Sequence, residues 1–314
     1  MTLMSDRKYV DLVWENDKPR VLFLTEGADW AFRRIGQRIR GAWSHRYQFQ
    51  IADFHSLEKN KKNEADLVIG LWWGALAHLG RRLKYSKAVV CVYDHFSWRH
   101  NPLLFRRTVL NADGLVSCNE DFHQMLKRDG RFQTDLPMWV CEDGVDTKAF
   151  SPSPIPEGLI GSWVGNSVAG GGKLKGLHLI REACEKVNIK LLVADKQKDP
   201  VPHEEVAEKI YHRSSFGIYA STGEGTPNPL LETMACGRPV VITAVGLAPK
   251  LINDGRNGII IQERTLKGIL EALDRLKDIN IQEAGVLARR AVEPFDWSIK
   301  VKDWESVLAL ADGI

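Results

Sequence analysis

Short apolar runs, each followed by a polar loop and a helix-spaced segment, recur along most of this chain. That rhythm constrains the fold more than any other feature. Runs of this kind read as strands buried on both faces, and parallel strands need crossover connections between them. RVLFLT (Arg20–Thr25) comes first. In WAFRRIGQRIRGAW (Trp30–Trp43), Phe32, Ile35 and Ile39 fall at helical spacing with arginines on the other side. ADLVIGLWWG, AVVCVYDH and ADGLVSCN continue the series, and LPMWVCEDGVD reads as a strand running into a turn. SPSPIPEG (Ser151–Gly158) holds three prolines, which excludes a helix interior or a central strand and predicts an interdomain linker. Beyond it LIGSWVG, KLLVAD, FGIYAS and PVVITA read as strands. GLHLIREACEKV, EEVAEKIYHRS, NPLLETMACG and TLKGILEALDRLKD read as helices. The prediction is an α/β chain of two parallel-sheet, Rossmann-like domains, 1–152 and 153–293, with ligand in the cleft beyond the carboxyl ends of the strands.

A length of 314 residues suits two cores of this kind. The net charge of +3 is too small to require a nucleic-acid partner, although the first 150 residues carry 23 Lys and Arg against 19 Asp and Glu. Five cysteines, an odd number without a C-x-x-C pair, predict reduced, mostly buried thiols in a cytoplasmic protein. MTLMSDRKYVDLVWENDK lacks the apolar core of a secretory signal. No run approaches the ~18 apolar residues of a membrane span.

VGNSVAGGGKLKG (Val164–Gly176) has the look of a phosphate loop. The Walker pattern G-x-x-x-x-G-K-[ST] fails on it. With Gly172-Lys173 as its G-K, the first glycine is Ser167 and the Ser/Thr is Leu174. G-x-G-x-x-G from Gly170 ends on Lys175 and fails too. What remains is a flexible loop between a strand and a helix that begins near Lys175 or Gly176. Its lysines and the helix N-terminus both favour anions. A loose connection with solvated lysines is an equal alternative on these residues alone.

YASTGEGTPNPLLETMACGRPVV is more specific. Glu224 lies on the loop before a helix, and Glu232 lies one turn into it. Thr226 or Asn228 is the expected cap, with Pro227 or Pro229 at the first positions and Gly237 as the stop. The block resembles that of the retaining glycosyltransferases of family 4. Their signature S-x-x-E-G-x-P-x-x-x-L-E-x-M-A-C-G-x-P-V-V, with its E-x7-E core, is matched by Ser221, Glu224, Gly225, Pro227, Leu231, Glu232, Met234, Ala235, Cys236, Gly237, Pro239, Val240 and Val241. VGLAPKLINDGRNGIII is similar to the family's next segment, with Lys250 where an acidic residue is common. EDGVDTKAFSP resembles the end of its first domain, with Asp143 in place of asparagine.

The resemblance implies a GT-B fold, with residues 294–314 returning to the first domain. It also implies transfer of a sugar, with retained configuration, from a nucleoside diphosphate sugar, a UDP-sugar being favoured. Glu224 would contact the transferred sugar, Glu232 the ribose, and the amides of Gly225 and Thr226 the donor, beside Pro227 and Asn228. The family's G-R-x-x-x-x-K-G diphosphate pattern falls on the glycine loop. Gly165 and Lys175 are in place, Asn166 stands for the arginine, and the glycines form an insertion. Lys173 is the candidate substitute cation, with Arg33 and Arg34 behind it. Asp94 and His95 match the strand end where the family has a histidine near the reacting sugar; Glu26 and Asp29 are weaker acceptor candidates. No D-x-D pair occurs, so no metal or other cofactor is expected. The basic stretches FRRIGQRIR, GRRLKYSK and WRHNPLLFRR allow three readings: solvated helix faces, a peripheral membrane contact for a lipid-linked acceptor, or a nucleic-acid acceptor such as a hydroxylated base, with Trp72, Trp73 or Trp98 to stack. A glycan or lipid-linked glycan acceptor ranks first. The alternative of another class is a non-catalytic nucleotide-sugar-binding protein.

Overall fold

In a computed structural model, the chain is described at residues 12–15, 17–26, 31–57, 63–79, 83–93, 100–129 and 135–312. It divides into two units, Met1–Glu142 with Lys300–Ile314, and Asp143–Ile299.

The first unit is built on six parallel strands in the order β2-β1-β3-β4-β5-β6. They are β1 (Arg20–Thr25), β2 (Gln48–Asp53), β3 (Asn63–Gly70), β4 (Leu83–Val92), β5 (Gly114–Ser117) and β6 (Met138–Val140). The apolar runs are central because they pack on both faces: Val21 to Leu24 and Leu67 to Ile69 are fully buried. β2, QFQIAD, escapes a reading by apolar runs, since it is an edge strand with polar residues in alternation. The strand read from ADLVIGLWWG stops at Gly70, and helix Trp73–Leu79 takes over its last residues. The last segment returns to this unit. Trp304 meets Phe23 edge-on, Trp43 Nε1 donates to the Val301 carbonyl (2.9 Å), and Lys300 pairs with Glu142 (3.1 Å).

The second unit carries five parallel strands in the order β11-β10-β9-β7-β8. They are β7 (Ile160–Gly165), β8 (Lys190–Asp195), β9 (Phe216–Tyr219), β10 (Val240–Thr243) and β11 (Gly258–Ile261). Its core joins Trp163, Ile180, Phe216, Ile218, Leu231, Met234 and Val241. The proline-rich stretch lies inside this unit. Arg238, fully buried, donates to the Ser153 and Pro154 carbonyls and the Ser153 hydroxyl. The unit's first and last residues are bound together. Val145 bridges Asp296, its N–H donates to the Phe295 carbonyl (2.9 Å), and its carbonyl accepts from Trp297 N–H (3.1 Å).

EEVAEKIYHRS is not one helix. It breaks into single turns at His203–Glu205, Val206–Lys209 and Tyr211–Arg213. All five cysteines are buried, and none is in a disulfide. Among the described residues no helix is long and apolar enough to cross a membrane.

Candidate functional site

β7 and β9 are neighbours, yet the chain leaves β7 for β8 on the opposite side. This reversal makes a switch point, where the loops beyond the two carboxyl ends diverge and leave a crevice. The glycine loop follows β7, and the Glu224 loop follows β9.

The glycine loop is folded. Gly170, Gly171 and Gly172 all have positive φ (57°, 68°, 83°), a succession that L side chains resist. Gly172 N–H donates to the Val168 carbonyl (3.1 Å). The loop is pinned to the end of β9 by three bonds. Thr222 N–H donates to the Leu174 carbonyl (3.0 Å), while Arg264 donates from Nη2 to the Lys173 carbonyl (2.5 Å) and from Nε to the Ala220 carbonyl (2.6 Å). Gly176, at φ 67°, is the N-cap of helix Leu177–Lys186, and a Cβ there would lie 2.3 Å from the Ala220 oxygen. Only glycine lets the two chains approach so closely.

This pinning brings Lys175 to Glu224. Lys175 Nζ donates to Glu224 Oε1 at 2.5 Å, and Ser221 Oγ donates to the same oxygen at 2.7 Å. The two charged side chains are 26% and 14% exposed, so the pair sits at the rim of the unit rather than in bulk solvent. Ser221 is fixed in turn, since its carbonyl accepts from Thr243 Oγ1 (2.8 Å).

Glu232 is buried in helix Asn228–Ala235, at 7% exposure. His203 Nε2 donates to its Oε1 (2.8 Å) and Tyr211 OH to its Oε2 (2.7 Å). Burial, and then the Glu232 charge, push the Tyr211 phenol well above its ordinary pKa. Tyr211 therefore keeps its proton and donates it to the Glu232 carboxylate. The broken segment between β8 and β9 has its reason here, since its turns carry both donors to one carboxylate.

The other expected residues are placed as follows. Lys173 is exposed, and its carbonyl holds Arg264. Asn166 Oδ1 accepts from Val168 N–H (3.2 Å), an internal turn bond. The Gly165 carbonyl accepts from Lys196 N–H (2.9 Å). Neither Thr226 nor Asn228 caps the helix. Pro227 occupies the N-cap position, and Asn228 is the first helical residue. Thr226 Oγ1 is buried without a hydrogen-bond partner, and Gly225 is buried. Asp94, His95, Asp29 and Trp98 lie outside the described residues. Glu26 is exposed, and Arg33 and Arg34 lie on helix Ala31–Trp43 of the first unit. Arg264, Tyr211 and His203 were not legible from spacing, because each acts from 21 or more residues away in sequence.

Residues 167–278 match the family described as Glycosyl transferases group 1. That span is roughly a third of the chain and contains the three successive glycines, Lys175 and both glutamates. Among curated relatives, "Putative colanic acid biosynthesis glycosyltransferase WcaL" of Escherichia coli (strain K12) is 26% identical over 190 residues, 49% of this chain and 45% of that protein. A D-inositol 3-phosphate glycosyltransferase of Paenarthrobacter aurescens (strain TC1) is 41% identical over 85 residues, 26% of this chain and 18% of that one. The chain thus spans less than half the length of the curated relatives it matches. Among solved structures, sucrose-phosphate synthase from Thermosynechococcus elongatus aligns with a TM-score of 0.74 at 13% identity, over 93% of this chain and 98% of that one. Anabaena Alr3699/HepE in complex with UDP and glucose aligns with 0.68 at 14%, over 92% and 99%. The fold is GT-B, as the resemblance predicts, and its two parallel sheets are those that the strand rhythm predicts.

Proposed function

We propose that the chain is a retaining glycosyltransferase that moves a sugar from a nucleoside diphosphate sugar to a hydroxyl of a glycan or lipid-linked glycan acceptor. The observation that carries the reading is the Lys175–Glu224 pair at the β7/β9 switch point, beside the folded glycine loop. A cation beside a helix N-terminus suits a diphosphate, and Glu224 would accept from the sugar hydroxyls. Before the donor arrives, each member of the pair satisfies the other's charge. The donor takes both over, its diphosphate drawing Lys175 and its sugar hydroxyls drawing Glu224.

In the reaction the bond from the anomeric carbon to the diphosphate oxygen breaks. A bond to the acceptor oxygen forms on the same face, and the acceptor proton passes to the departing diphosphate. Negative charge grows on the leaving group, so the fixed Lys175 ammonium stabilises the transition state more than the ground state. Glu232, held from both sides, is the ribose contact of this reading. The UDP bound by the structural neighbour supports UDP as the donor nucleotide.

The test is release of nucleotide from UDP-, GDP- and ADP-sugars by the wild-type protein and by Glu224→Gln. Wild-type release that the substitution reduces by about a hundredfold or more is the expected outcome. Equal background rates for both proteins with every donor and acceptor overturn the enzyme reading and leave a nucleotide-sugar binder.

A further inference from the structure

Glu232 is gripped by donors that come from outside its own helix, one on each carboxylate oxygen. The terminal torsion of a glutamate is broad and nearly two-fold, so one donor alone leaves the carboxylate plane free to swivel. Donors on opposite oxygens fix that plane. The donors are themselves fixed. Phe150 meets the His203 ring at 5.3 Å and 66° and the Tyr211 ring at 6.0 Å and 61°. The Tyr211 carbonyl accepts from buried Arg238 Nε (3.1 Å). Phe150 is the aromatic residue of EDGVDTKAFSP, a segment with no part in the chemistry described above.

We propose that Tyr211 and His203 are positioning residues that hold the Glu232 carboxylate in the plane that accepts from both hydroxyls of a ribose, and that they thereby set a preference for ribonucleotides over 2′-deoxyribonucleotides. The inference rests on the reading of Glu232 as the ribose contact. Its physical basis is the asymmetry of polar recognition. A carboxylate accepts only, and a buried one oriented for a diol rejects a ligand that lacks one hydroxyl, because an acceptor is left facing carbon. A carboxylate free to swivel adapts to the remaining hydroxyl and discriminates less.

The experiment is calorimetric binding of UDP, GDP and ADP, each beside its 2′-deoxy counterpart, to the full chain and four variants. The wild-type protein is expected to prefer the ribonucleotide by about tenfold or more, the worth of one charged hydrogen bond. Glu232→Gln removes the preference. Tyr211→Phe, which keeps the ring and its packing, narrows it several-fold. His203→Ala narrows it too, and His203→Gln, whose amide N–H replaces Nε2–H, restores it. The ratio is its own control for folding, since general damage lowers both affinities alike. If Tyr211→Phe and His203→Ala keep the wild-type ratio while Glu232→Gln loses it, the positioning role is wrong and the ribose reading stands. If the wild-type protein shows no preference, if Glu232→Gln retains it, or if none of the three nucleotides binds, the ribose reading fails and takes the inference with it.

Discussion

Arg238→Met tests the energetics most sharply. Arg238 is fully buried, and burial lowers its pKa. Its five guanidinium N–H groups serve seven acceptors, some of them sharing a hydrogen: the carbonyls of Tyr211, Ser214, Ser153, Cys236, Pro154 and His212 and the Ser153 hydroxyl. Methionine keeps much of the side-chain volume and none of the donors. The Tyr211 carbonyl retains bonds from the Ser214 N–H and hydroxyl, so its loss is mild. The others depend on the arginine more heavily. An acceptor left buried without a donor costs about 1–3 kcal/mol. With two or three such carbonyls staying dry, the loss is roughly 3–6 kcal/mol. For a unit of this size, 1 kcal/mol moves Tm by about 2–4 °C, so the transition of the second unit falls by roughly 6–24 °C. Differential scanning calorimetry reads this directly. Arg238→Lys, with three donors on one nitrogen, falls nearly as far. A drop under about 3 °C for the methionine variant refutes the reasoning, because it means that water replaces the guanidinium without cost.

Two further outcomes follow from single positions. Gly176→Ala forces a Cβ to 2.3 Å from the Ala220 carbonyl oxygen at φ 67°. The left-handed strain alone is about 1–2 kcal/mol, and the loop shifts off β9, so nucleoside diphosphate affinity by calorimetry falls by about tenfold or more; unchanged affinity means that the pinning does not shape the site. Burial raises the Asp296 pKa, but bonds from Ser298 and Thr147 outweigh it and hold it at about 2. A depressed carboxylate stabilises the fold at a pH above its unfolded value near 3.8, and that contribution disappears as the pH falls toward 2. Asp296→Asn therefore flattens the acid limb of the urea midpoint between pH 5 and 2, and a wild-type slope in the variant contradicts the assignment.

The sheets were legible because their strands are buried on both faces, and runs such as RVLFLT and PVVITA alternating with helix-spaced segments suit a parallel α/β core. β2 was not, since an edge strand with alternating polar residues resembles a surface loop. The Glu224 and Glu232 positions were readable from the local order of loop, helix and glycine. What holds them was not. Tyr211 and His203 reach Glu232 across a broken segment whose apolar spacing mimics one helix, and Arg264 reaches the glycine loop from beyond β11. The expected side-chain caps failed for a physical reason as well. With Pro227 at the N-cap position, the helix start has no polar side chain where a cap belongs.

The hydrogen-bonded closure of the second unit, Val145 against Asp296, has a bearing on ancestry. Lys175, Glu224 and Glu232, the donor contacts of the proposed function, all lie between those two residues, and the chain segments that enter and leave the unit pair there. A segment whose two ends meet can be grafted into a host chain without stretching either partner. Two crossovers, one near Asp143 and one near Ile299, would carry the whole nucleotide-handling constellation as a single heritable cassette. The flanking sequence would be left to evolve at its own pace.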